Sequence, residues 1–114
     1  MRKHQIENAA YEVATQVRAV EDTIDAALTE IAELQARIMR ANSVAHVGFA
    51  TAHPVLEELA EAVKGLVGAR GSVVGCHSAL AEAKTQVPGL RTVSCGEGEE
   101  CPKKTALTDL RIVA

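Results

Sequence analysis

The feature that most constrains this chain is a seven-residue apolar repeat that runs almost without interruption from Ile6 to Ile38. Such a repeat places apolar side chains along one face of a helix, where they pack against another helix. It therefore predicts a first helix over roughly residues 5–41. It specifies packing and contains no group able to do chemistry. The two rows of this seam are Ala10, Val17, Ile24, Ile31 and Ile38, and Ile6, Val13, Val20, Ala27 and Leu34.

The small number of aromatic residues limits the kind of core that the chain can build. Tyr11 and Phe49 make up the whole aromatic content of 2%, so the core consists of many small aliphatic contacts, which suit closely packed helices. A length of 114 residues allows one domain at most. Because 12 Lys and Arg face 15 Asp and Glu, no cationic excess remains for phosphates, and we expect no nucleic-acid binding.

A second helix is predicted to begin shortly after residue 50. Thr51 or His53 suits the N-cap, and Pro54 suits the first helical turn. The apolar seam of this helix consists of Ala52, Leu59, Leu66, Val73, Leu80 and Val87. A second stripe widens the apolar arc beyond what one partner helix covers, and we predict it as an oligomer interface formed by Leu56, Val63, Val67 and Val74.

The remaining face of the second helix has no charged residue between Lys64 and Glu82. Each glycine inside a helix costs about 1 kcal/mol relative to alanine, so several glycines require either a close backbone contact or a break. We favour one helix over residues 54–86, and the alternative is a third helix that results from a break near residues 68–72. The residues of this uncharged face are Gly65, Gly68, Gly71, Ser72, Gly75, Ser78 and Ala79.

These patterns predict an all-α fold, a long antiparallel helical hairpin formed by residues 1–88. Such hairpins would assemble as a coiled-coil-like bundle, most simply a dimer of four helices. Residues 89–114 form a separate tail after Pro88 and Gly89. Two short β-prone segments within it, residues 90–94 and 110–113, are predicted to be extended or to dock as strands.

Candidate groups for chemistry are few. Four possible zinc ligands lack the paired spacing of a zinc site, so we expect neither a metal nor a cofactor. They are Cys95, Cys101 and the neighbouring residues Cys76 and His77. Free thiols at Cys95 and Cys101 are the first expectation and a disulfide between them is the second, while Cys76 is interpreted as a buried apolar residue. His46 and His53 are interpreted as polar loop residues. No catalytic motif is present, and we expect no enzymatic activity.

Arg70 and His77 lie inside the apolar arc of the second helix. A cation at such a position extends to the edge of the seam and pairs with a carboxylate. If the two helices fold back around a loop near Val47, Arg70 comes level with Asp25 and close to Glu21. The sequence therefore predicts an intramolecular ion pair between Arg70 and these acids.

The leading functional hypothesis is a non-enzymatic structural or interaction protein that oligomerises through helical packing, for example as a small component of a phage-like or other multi-subunit assembly. One alternative is a regulatory or chaperone-like module that binds a partner helix along the face from Gly65 to Ala79. Another is a small cysteine-based metal or redox protein. The tail of residues 89–114 is a second candidate contact for a protein partner. Without an apolar leader or membrane-spanning stretch, we expect the cytoplasm as its location and no membrane partner.

Overall fold

The computed structural model describes residues 2–88, and these form two long helices that pack against each other as an antiparallel hairpin. Helix α1 is Arg2–Ala45 and helix α2 is Phe49–Lys84, and the described residues contain no strand. The predicted all-α hairpin is therefore confirmed. The break near residues 68–72 does not occur, because α2 continues through Gly68 and Gly71 as one helix.

Helix α1 ends four residues later than the predicted end at about residue 41, and a left-handed cap terminates it. The amide of Val47 donates to the carbonyl of Asn42 at 3.0 Å, and the amide of His46 donates to Ser43 at 3.3 Å. His46 has a φ of 53°, which places a side chain in the left-handed region that favours glycine. Asn42 and Ser43 therefore supply carbonyls to the cap and lie within the last turn of α1.

Helix α2 begins at Phe49, ahead of the predicted N-cap at Thr51 or His53. The amide of Ala52 donates to the carbonyl of Gly48 at 3.0 Å, which closes the first turn upstream of the predicted start. Pro54 consequently lies inside the helix instead of in its first turn. Because proline has no N–H, its ring removes one backbone hydrogen bond near the start of α2.

The end of α2 is formed by tighter turns after Lys84. The amides of Thr85, Gln86 and Val87 each donate to the carbonyl three residues earlier, at 3.0–3.2 Å. The Thr85 hydroxyl also donates to the carbonyl of Glu82 at 2.7 Å. These bonds satisfy carbonyls that the helix end would otherwise leave unpaired. The predicted tail of residues 89–114, with its two β-prone segments, lies outside the described residues.

The hairpin divides into two compact units. The loop unit is Asp22–Gly71, and the terminal unit combines the start of α1, up to Glu21, with the end of α2, from Ser72. Buried apolar side chains are scarce in both. Leu59 in the loop unit and Ala14 in the terminal unit are each 9% exposed, and no described side chain is less than 2% exposed. Each unit therefore has a thin core of partly covered aliphatic side chains.

The rows of α1 that face α2 differ from the predicted seam. The row that contains Val17, Ile24 and Ile31 is partly covered, as a seam requires. The other predicted row is only partly used, because Val13, Val20 and Leu34 are exposed. A third row, on the other side of the row of Val17, is covered instead. It consists of Ala14, Glu21 and Leu28. Helix α1 is thus rotated relative to the predicted packing, which leaves three of the five residues of the other predicted row exposed.

Candidate association surface

The predicted oligomer interface on α2 is split by the fold. Leu56 and Val63 are half-buried, whereas Val67 is 55% exposed and Val74 is 50% exposed. Leu56 and Val63 share a seven-residue row with Arg70, and this row faces α1. Val67 follows Val63 by four residues, and Val74 follows Arg70 by four residues. Both valines therefore lie on the next row around the helix. Within the predicted stripe, these two valines are its most exposed members.

Arg70 and Asp25 form an ion pair between the two helices of the loop unit. The Nε of Arg70 donates to Oδ1 of Asp25 at 2.8 Å, and both side chains are 55% exposed. The hydrogen bond from Arg70 lowers the pKa of Asp25 below its ordinary value of 3.8, and it outweighs desolvation, which raises this pKa; the charge of Arg70 also lowers it. The structure thus places Arg70 against Asp25, one of the two acids that the sequence prediction named.

Glu21, the other acid of that prediction, lies in the terminal unit beside His77. Nδ1 of His77 is 3.5 Å from Oε2 of Glu21, and the His77 side chain is only 13% exposed. When His77 is protonated, this contact becomes a second ion pair between the helices. In each unit, one polar residue from the apolar arc of α2 therefore lies against an acid of α1.

The loop unit also contains an open apolar groove with a volume of about 490 Å³. Leu34 of α1 is 48% exposed, and Val55 of α2 is 45% exposed. The sequence analysis missed this groove, because it assigned Leu34 to the intramolecular seam and Val55 to no stripe. Its lining residues are Leu34, Ile38, Pro54, Val55, Glu58 and Leu59.

The uncharged face of α2 is open surface. A Cβ atom added at Gly65, Gly68, Gly71 or Gly75 would meet no neighbouring atom within 4 Å. No close backbone approach among the described residues therefore requires these glycines. Their cost in helix stability has no intramolecular compensation at these positions.

The candidate chemical residues are dispersed. Cys76 is exposed, so its interpretation as a buried apolar residue was wrong, because α2 is rotated to direct the row of Leu56 and Val63 inward. Cys95 and Cys101 lie outside the described residues. Within residues 2–88, no group of three His, Cys, Asp or Glu side chains is close enough to hold a metal ion. His46 caps α1 and His53 is exposed on α2.

Comparison with known proteins adds no relative: no family model matches the chain, and no curated protein or solved structure is similar to it. Over residues 2–88, neither helix has an apolar stretch that could cross a membrane.

Proposed function

We propose that this chain is a non-enzymatic structural or interaction protein that associates with copies of itself through helical packing. The observation that carries the proposal is the thin core. Across residues 2–88, Ala14 and Leu59 are the only buried apolar residues, while large apolar side chains on both helices are about half exposed. A helical hairpin of this kind gains stability when a further helix covers those side chains.

The gain from such covering is substantial. Complete burial of a Val or Leu side chain contributes about 1.5–3 kcal/mol, so covering the exposed half of one contributes about 1 kcal/mol. Val67 and Val74 of α2, together with Leu34 and Val55, would thus contribute about 4 kcal/mol to association in each subunit. A component of a multi-subunit particle, including a phage-like one, is the setting that we propose for such a protein, with the cytoplasm as its location.

Sedimentation equilibrium of the full chain at low micromolar concentration tests the proposal. We expect a mass of at least two chains. If the predicted stripe forms the contact, V67S/V74S weakens association about tenfold or more, since both valines then lose apolar area at the interface. V44S is the matched control because Val44 is 81% exposed at the end of α1 and outside the predicted stripe. A wild-type chain that stays monomeric at tens of micromolar would refute self-association.

A second candidate function is the capture of a partner helix along the face from Gly65 to Ala79. The open surface around its glycines favours this function, because residues without side chains allow another helix backbone to approach closely. The tail of residues 89–114 is a further candidate contact for such a partner. Light scattering separates the two functions: a stable oligomer supports self-assembly, and a monomer supports partner capture.

A further inference from the structure

The groove of the loop unit has apolar walls from both helices. Leu34 and Ile38 belong to α1, and Pro54, Val55 and Leu59 belong to α2. Leu34 and Val55 are about half exposed, so each has apolar area that neither helix of the hairpin covers. An apolar groove of this kind at a helix pair is typical of a surface that receives further helices.

On each side of the groove a charged residue lies next to an exposed apolar side chain, and these two residues have opposite charges. Arg37 follows Leu34 by three residues, and Glu58 follows Val55 by three residues, so each charge is a surface neighbour of an exposed apolar side chain. Glu58 itself lines the groove. Arg37 is 71% exposed and donates from Nε to Glu33 at 3.1 Å. A guanidinium has five N–H donors, so Arg37 can also bind a second carboxylate. Arg37 thus places a cation beside the α1 wall, next to Glu33, and Glu58 places a carboxylate on the α2 wall.

We propose that a second copy of this chain docks on the groove, related by a two-fold axis parallel to the helices, so that Arg37 pairs with Glu58 of the partner subunit. This inference rests on the self-association proposed above and names its surface. A half-turn about such an axis lays α1 of one copy over α2 of the other, with both loops at the same end. The two apolar walls then cover each other, and Arg37 of each copy meets Glu58 of the partner subunit.

The charge pattern selects this arrangement over the other face-to-face dimer. A two-fold axis perpendicular to the helices would lay α1 on α1, with the loops at opposite ends, and Arg37 would not meet Glu58 of the partner subunit. Symmetry makes the contact occur twice in the dimer, so any change to one of these charges counts twice. Exposed ion pairs are individually weak, but opposed like charges at an interface are unfavourable, and reversal of one of the two charges replaces two attractions by two repulsions.

The experiment uses four single variants and one double variant of the full chain, with association measured by sedimentation equilibrium and helix content by circular dichroism. We expect R37E and E58R each to raise the dissociation constant about tenfold or more. The double variant R37E/E58R is expected to return to within about threefold of wild type. R40E and E57R are matched controls. Arg40 also lies near Glu33 but is six residues from Leu34, so it lies further around α1 from the groove than Arg37 does. Glu57 also lies near the start of α2 but does not line the groove.

Mixing the two single variants provides the decisive measurement. In a mixed dimer of R37E with E58R, both contacts join opposite charges, whereas both contacts in either homodimer join like charges. We therefore expect an equimolar mixture to associate about as tightly as wild type. A purely intramolecular effect of either substitution would not be relieved by the other chain.

The alternatives give different results. Wild-type protein that is monomeric at tens of micromolar overturns both this inference and self-association. Wild-type protein that associates, with R37E and E58R no weaker than R40E and E57R, overturns the groove as the contact but leaves self-association standing. Weakened single variants without rescue in the mixture overturn the proposed two-fold arrangement.

Discussion

Replacement of two glycines in α2 tests whether the middle of this helix is open and continuous. Gly68 and Gly71 lie inside α2, and a Cβ atom at either position meets nothing within 4 Å. Alanine is more favourable than glycine in a helix interior by about 0.8–1.0 kcal/mol, because glycine loses more backbone freedom on folding. We therefore expect G68A/G71A to raise the free energy of unfolding by about 2 kcal/mol.

The assay is urea denaturation followed by far-UV circular dichroism, at one protein concentration because association would itself shift the midpoint. In a thermal scan, the same change corresponds to an increase in melting temperature of roughly 8–16 °C for a domain of this size. A69G is the matched control: Ala69 is an exposed neighbour on the same helix, and its replacement is expected to lower stability by about 1 kcal/mol.

A midpoint for G68A/G71A at or below that of wild type would refute the reasoning. Such a result would mean either that another chain packs closely against these glycines or that the helix is interrupted at residues 68–72. Measurement of the mass of both proteins distinguishes the two explanations, because loss of association accompanies only the first. The second would return the fold to a three-helix arrangement.

Two further predictions concern the loop and the ion pair of the loop unit. H46G is expected to raise the free energy of unfolding by about 1 kcal/mol in urea denaturation, because glycine adopts the left-handed cap without strain. The control H53G, which places a glycine inside α2 near its start, should instead lower it. The pKa of Asp25 is lower in the folded chain than its unfolded value near 3.8, so the ionised carboxylate stabilises the fold. This stabilisation is present above the unfolded pKa and is lost as the pH falls through the folded pKa. The stability advantage of wild type over D25N should therefore shrink between pH 5 and pH 2, and an advantage that is constant over this range would contradict the pair.

The existence of both helices could be predicted from the sequence because their apolar repeats are long and regular. The row that each helix directs towards its partner could not be predicted, since both helices have more apolar rows than one partner covers. Polar residues settle the rotation in the structure. The row of Arg70 and His77 packs against α1, where Asp25 and Glu21 are their partners. Covering the row of Glu21 leaves most of the row of Leu34 exposed.

The helix ends were harder to predict than the helices. Thr51, Pro54 and Asn42 are residue types that often mark helix ends, but they also fit within the first or last turns of a longer helix. Helix α1 therefore continues past Asn42 until His46 adopts a left-handed conformation, and α2 begins as soon as Gly48 offers a carbonyl.

The location of the uncovered apolar side chains bears on the size of the assembly. The groove with Leu34 and Val55 would pair identical surfaces about a two-fold axis, and such an interface closes after two chains. Val67 and Val74 do not line that groove, so a contact through them would be a second interface. A chain with two independent interfaces can link dimers into larger particles, whereas a chain with one stops at the dimer. The effect of V67S/V74S on mass therefore separates these cases: reduction of a larger particle to a dimer indicates two interfaces, and an unchanged dimer indicates that the groove acts alone.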